Sequence, residues 1–191
     1  MQINVSKPCT IYIHFKNESP RIFNLYDSAG DKYFFRYLDG KTPRIKFNVP
    51  DIGSYTGNNF DILKVVPIEI PNTLPRLPAA NRDRWKKTTL KFNPHLQDTP
   101  CRIFTESGII EISHYFYSLP KPIRLFLLLH EKGHFFYTSE FDCDLYALVN
   151  YLRMGYNRNM AFYSLASILK RSNSETNRIK MLLKHINTIP V

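Results

Sequence analysis

Glycine is scarce in this chain, with seven in 191 residues against fourteen phenylalanines and twelve tyrosines. A chain so poor in glycine and so rich in aromatics folds around a core, which excludes disorder. Cysteine is scarce too: Cys9, Cys101 and Cys143 are an odd number, form no C-x-x-C pair and have no framework spacing. They read as buried thiols of a protein in a reducing compartment, not as a disulfide scaffold. Long apolar runs are missing, and the longest clean one is only Leu125 to Leu129. A membrane span needs about 20 such residues, so no membrane partner is expected. The start, Met1-Gln2-Ile3-Asn4-Val5-Ser6-Lys7, lacks the charged beginning and apolar core of a secretory signal. A cytoplasmic protein is the expectation. No G-x-S-x-G occurs and no cysteine stands beside a histidine, which argues against a metal-independent hydrolase.

Acidic residues are the minority charge, and the net charge is +10. Residues 1–70 carry nine Lys/Arg against seven Asp/Glu, and residues 71–191 carry seventeen against nine, leaving the second part at +8. Arg82, Arg84, Lys86, Lys87 and Lys91 cluster there. Such a field attracts nucleic acid or an acidic protein. A solvated basic face is the commoner cause, and nucleic acid stands only as an alternative partner.

What is present in strength is His130-Glu131-Lys132-Gly133-His134, directly after the apolar run Ile123 to Leu129. Histidines four apart on a helix lie about 40° apart around its axis, one turn from each other. One Zn²⁺ can then accept a nitrogen from each. Glu131, beside the first, can take a proton from a water on that ion. Glu140, Asp142 and Asp144 follow six, eight and ten residues after His134. Ser139 reads as the N-cap of a second helix with the apolar stripe Phe141, Leu145, Leu148 and Leu152. Glu140 and Asp144 are i, i+4 neighbours on it, so both can face one point, and spacing leaves either as third ligand. Acids in a first turn also suit the helix dipole, but that does not explain their position directly after H-E-x-x-H.

These residues resemble the gluzincin metallopeptidases, in particular compact, soluble relatives of the HtpX and CAAX-endoprotease type. Their pattern is H-E-x-x-H, then E-x-x-x-D with a small residue before the Asp, an apolar helix ending in Gly, and later an Arg-apolar pair. This chain offers His130 to His134, Glu140 to Asp144 with Cys143 as the small residue, then Gly155-Tyr156 and Arg178-Ile179. The likeness covers about residues 108–182, and the connection from His134 to Glu140 is shorter than in typical gluzincins. It implies Glu140 as the third ligand, Asp144 as the partner that orients a zinc-bound histidine, and Glu131 as general base. It also implies that the strand before the metal helix offers a free edge to an extended peptide. The five-residue connection Phe135 to Ser139 agrees, since it sets the first turn of the second helix beside His134.

The expected class is α+β. Residues 1–70 alternate as strands do, at Cys9–Phe15, Arg21–Tyr26, Lys32–Tyr37, Arg44–Val49 and Phe60–Ile70, separated by turns such as Asp51-Ile52-Gly53-Ser54. They read as an antiparallel β-sandwich-like module. Residues 71–84, with three prolines and no periodicity, read as a linker. Residues 85–191 read as a second domain, zincin-like by the resemblance. Its strands are expected at Thr88–Phe92, Arg102–Thr105 and Gly108–Ser113. About four helices follow: a metal helix introduced by Pro120 and Pro122, then Glu140–Arg153, Met160–Arg171, and Glu175–Ile186 capped by Ser174.

The function expected is zinc-dependent hydrolysis of peptide bonds in a protein or peptide substrate, with Tyr137, Tyr146, His114 or Arg178 as candidate oxyanion donors, although Arg178 could as readily pin Asp142 or Asp144. The alternative is a non-catalytic protein, docking or nucleic-acid-associated, whose zinc only stabilises helices; the intact Glu131 weighs against it. Abundant Asn, Lys, Ile and Tyr suggest an AT-rich, phage-type gene, for which association with the virion is a second location. The oligomeric state is not legible.

Overall fold

The computed structural model describes residues 1–15, 21–41, 43–68, 74, 76–78, 87–97, 99–167, 169 and 173–188. The fold is α+β and divides into two compact units. The first comprises Met1–Ile70 with Pro120–Pro122 and Met154–Asn157; the second comprises Pro71–Leu119, Ile123–Arg153 and Arg158–Val191. Trp85, three members of the basic cluster (Arg82, Arg84, Lys86) and most of the expected linker lie outside the described residues.

The described residues of the first unit form seven strands: β1 (Gln2–Val5), β2 (Cys9–Phe15), β3 (Arg21–Asp27), β4 (Lys32–Leu38), β5 (Arg44–Val49), β6 (Gly53–Thr56) and β7 (Phe60–Pro67). They form two antiparallel sheets, ordered β1-β6-β3-β4 and β5-β2-β7. Alternation decides what is buried: Ile45, Phe47 and Val49 of β5 point inward between exposed or half-exposed neighbours. Inward residues of both sheets share one core. Phe23 of β3 joins them, its ring 5.2 Å from Phe15 and 5.4 Å from Phe60, both on the other sheet. Between β3 and β4, Asp27 Oδ1 accepts from the N–H of Ala29 and of Asp31, and Gly30 takes a φ of +81° that glycine adopts freely.

Two strands were not legible. β1 pairs with β6, Ile3 opposite Tyr55, so Gly53 and Ser54, expected in a turn, belong to a strand. The final strand stops at Pro67, and Glu69 and Ile70 lie outside the described residues.

The second unit opens with β8 (Thr89–Phe92), β9 (Cys101–Phe104) and β10 (Ile109–Ile112), in the order β8-β10-β9. β10 runs parallel to β8 and antiparallel to β9. The strand expected to offer a free edge, β10, is therefore central, and both its edges are taken. Among the described residues, the edge strands of this sheet are β8 and β9.

Among the described residues five helices follow: α1 (His114–Ser118), α2 (Lys121–Gly133), α3 (Glu140–Arg153), α4 (Arg158–Ala166) and α5 (Asn173–Thr188). Ser113 caps α1 by accepting from Phe116 N–H while its hydroxyl donates to Pro100 O. α2 buries Ile123, Phe126 and Leu127 and half-buries Leu125, Leu128 and Leu129, so it is amphipathic and not buried all round. α3 ends before Gly155, whose φ of +87° suits a helix terminus. α5 begins at Asn173, so Ser174, expected as its cap, lies within the helix. Among the described residues, no helix is long and apolar enough to cross a membrane.

Candidate metal centre

The last turn of α2 supplies His130 and Glu131. The helix closes at Gly133, where the turn tightens: the N–H groups of His134 and Phe135 donate to the carbonyls of Glu131 and Lys132, each at 3.2 Å. His134 therefore stands in the turn just beyond the helix, with its ring 5.0 Å from that of His130 and almost perpendicular to it. The chain then reverses into α3. Ser139 starts that helix, its Oγ accepting from Asp142 N–H at 3.4 Å. The two helices approach to backbone distance, because a Cβ on Gly133 would lie 2.9 Å from Cys143 Cα. Only glycine leaves room for that crossing.

This packing brings three sequence-expected residues together. One ligand atom each from His130, His134 and Glu140 lies within 4.8 Å of the others, so the group could hold a metal ion. Glu140 Oε2 is 3.4 Å from His130 Nε2, and Oε1 is 3.6 Å from His134 Nε2. Asp144 is not in that group. Fully buried, it places Oδ1 2.8 Å from His130 Nδ1, a close contact that falls short of a linear hydrogen bond. Arg178 of α5 holds the same carboxylate through Nε and Nη2, and Nη2 is also 3.1 Å from Glu140 Oε2.

Charge in the site follows from this arrangement. Burial works against a charged His130, but Asp144 and Glu140 outweigh it and push its pKa up to about 9. Burial and the neighbouring His130 hold His134 below its ordinary value. The hydrogen bond with His130 draws Glu140 down to about 2, with the charges of His130 and Arg178 adding to it. Burial raises Glu131 to about 7, against the lowering pull of His130 and of the Ile103 N–H.

Glu131 is held from β9, where Cys101 Sγ lies 3.8 Å from Oε1 and the Ile103 backbone N–H hydrogen-bonds the carboxylate. Cys143 Sγ lies 3.4 Å from His134 Nδ1. These thiol contacts could not be found from sequence, since a cysteine in an apolar stretch looks like ordinary core.

A cleft of about 560 Å³ opens over the cluster, lined by Thr99 to Ile103 of the β9 segment and by His130, Glu131, His134, Glu140 and Arg178. Of the candidate oxyanion donors, Tyr137 and Arg178 line it. Tyr137 already donates its hydroxyl proton to Pro78 O at 3.1 Å. Tyr146 packs on Phe136 and His114 on Phe92, and neither borders the cleft. No family model, curated protein or solved structure matches this chain. The likeness to gluzincins rests on its motif residues alone.

Proposed function

We propose that the protein is a zinc-dependent peptidase, with His130, His134 and Glu140 as ligands and Glu131 as general base. Two imidazoles and one carboxylate are a donor set that suits Zn²⁺ and leaves a coordination position open. The observation that carries the reading is a fourth ionisable side chain. Glu131 borders the same cleft as the cluster, is held by Ile103 N–H and Cys101, and has its pKa raised to about 7. A site that only stabilised helices would have no use for such a group, whereas a general base works best with a pKa near the operating pH.

When bound, the ion would polarise the scissile carbonyl and make a water acidic. The Glu131 carboxylate takes the proton of the attacking water and hands it to the leaving amine nitrogen. Asp144, gripped by Arg178, holds His130 in place through Nδ1. β9, an edge strand among the described residues and a border of the cleft, supports an extended peptide there. Thr99, Pro100, Cys101, Arg102 and Ile103 form that border, so the substrate would meet backbone, small or apolar groups and one arginine.

The test measures zinc content and cleavage of a peptide library for the native chain and for Glu131→Gln. The amide keeps shape but cannot accept the proton, so zinc should stay and turnover fall by about 10² or more. Zinc binding without cleavage in the native chain would instead favour the docking role.

A further inference from the structure

The two candidate histidine ligands are held by consecutive residues of α3. Asp144 faces Nδ1 of His130 at 2.8 Å, and Cys143 faces Nδ1 of His134 at 3.4 Å. Carboxylates in this position are familiar partners of metal-binding histidines. A thiol is not, and it has a choice that a carboxylate lacks, because sulfur can both accept and donate a hydrogen bond.

Two arrangements compete. In one, the thiol proton goes to Nδ1 of His134, which puts the ring's own proton on Nε2. In the other, Nδ1–H donates to sulfur, and the thiol donates onward to Tyr137 O at 3.8 Å. The first makes one hydrogen bond and points Nε2–H at Glu140 Oε1, 3.6 Å away, too far for a real hydrogen bond. The second makes two, and a carbonyl can only accept, so the direction of the relay is set from its far end. Cys143 is fully buried, and leaving polar groups unpaired in such a place is costly.

We propose that Cys143 is a positioning residue that fixes the tautomer of His134, through the relay Nδ1–H to Sγ–H to the carbonyl of Tyr137, leaving the Nε2 lone pair directed at the point shared with His130 and Glu140. The relay couples the ring to the turn between α2 and α3, since Tyr137 N–H itself donates to Gly133 O at 2.9 Å. Gly133 is also the residue whose missing side chain admits Cys143. Turn, glycine and thiol therefore form one device that aims one ligand. Only the metal-binding arm of the test rests on the zinc reading.

The direct measurement is ¹⁵N NMR of the imidazole rings in the metal-free protein at neutral pH. The native chain should show His134 with its proton on Nδ1. Cys143→Ala should shift at least half of the population to Nε2–H, and Cys143→Ser, whose hydroxyl can relay in the same way, should restore the native tautomer. A native ring protonated on Nε2, or an Ala variant with an unchanged tautomer, overturns the inference, and the native spectrum decides even if the Ala variant does not fold. In zinc titrations, Cys143→Ala should bind about tenfold more weakly, at the low end of such second-layer losses, with Ser recovering most of it. Equal affinities for the three would assign Cys143 to packing alone. A native chain that takes up no zinc but shows the Nδ1–H tautomer sinks the peptidase reading and leaves this relay standing.

Discussion

Arg178 and Asp144 form a two-point pair: Nε and Nη2 of the guanidinium donate to Oδ2 and Oδ1, each at 3.0 Å. Asp144 is fully buried and Arg178 largely so. Removing Arg178 takes two hydrogen bonds from a buried carboxylate and leaves it only the protonated His130, a cost of about 3 kcal/mol, the low end for a broken buried pair. Arg178→Met should therefore lower the stability of the metal-free protein by that order, read from urea melts. A loss below about 1 kcal/mol would mean that water already screens the pair.

Glu140 and Asp144 should separate in zinc titrations. Glu140→Ala removes a member of the group that can share an ion, and most zinc should be absent at micromolar metal. Asp144→Ala removes only the support of His130, a loss of about 10- to 100-fold. If the Asp144 variant is zinc-free and the Glu140 variant is not, the two roles are exchanged.

Zinc uptake should depend on pH through His130. With its pKa raised to about 9, the ring carries a proton that must leave before Nε2 binds metal. Affinity should then rise about tenfold per pH unit from about pH 7 and level off near 9, one proton being released per ion. In the metal-free protein the same raised pKa stabilises the fold fully below about 6.5, the ordinary value. That contribution is lost as the pH climbs through about 9. Calorimetric titration in buffers of different ionisation heat counts the proton. A pH-independent affinity would mean that His130 is neutral before the metal arrives.

Gly133→Ala sets two effects against each other. On helix propensity alone, alanine should stabilise α2 by up to about 1 kcal/mol. The added methyl would meet Cys143 Cα at 2.9 Å and Cβ at 3.1 Å, and backbone cannot swing aside. Overpacking of this kind costs about 1–3 kcal/mol, so net destabilisation with weaker zinc binding is expected. A more stable variant in thermal melts would show that α3 can slide away at little cost.

Alkali should loosen the first unit. Tyr156 donates to Asp51 Oδ2 at 2.6 Å and Tyr55 donates to Asp51 O at 2.9 Å. Burial, reinforced by the charge of Asp51, pushes Tyr55 up to about 12, and burial raises Tyr33 and Tyr156 as well. Groups that stay neutral in the fold but ionise near 10 when unfolded contribute fully below about pH 10. That support is lost as the pH rises towards about 12. The part of the tyrosinate absorbance that Tyr33→Phe, Tyr55→Phe and Tyr156→Phe variants remove should, in the native chain, appear together with loss of the far-ultraviolet β signal. Ionisation of these rings with the sheets intact would contradict it.

The candidate site was more legible in the sequence than the sheets were. H-E-x-x-H, Glu140 and Asp144 are a local pattern, and the short reversal sets their side chains around one point, while Asp142 stays outside the cluster. Cys9–Phe15 and Arg44–Val49 were legible for the same reason, since alternation is written within each strand. The position of β10 was not. Whether a strand is central depends on its partners, and β8 joins it in parallel from a segment that the local pattern leaves unconnected. β1 and β6 are four residues each, too short for alternation to register, and Gly53-Ser54 looks like a turn until Ile3 is set opposite Tyr55. Arg178 stands 34 residues from Asp144; the sequence offered it as an oxyanion donor or as a pin on Asp142 or Asp144, and only the fold puts it on Asp144.

The pairing of β1 with β6 also bears on the order in which the first unit is built. Of its strand pairs, only β3 with β4 joins neighbours across a short turn; β1 must wait for β6, and β2 for β5 and β7. Distant pairings pay their loop-closure entropy before any contact rewards it, so they form late and slowly. Assembly is expected to start at the Asp27–Asp31 turn and spread outward, and in pulse-labelled hydrogen exchange Leu25 should gain protection before Ile3. Until about residue 67 has left the ribosome, β2 lacks its β7 partner, and the backbone N–H and C=O groups along that edge stay open to pairing with other chains.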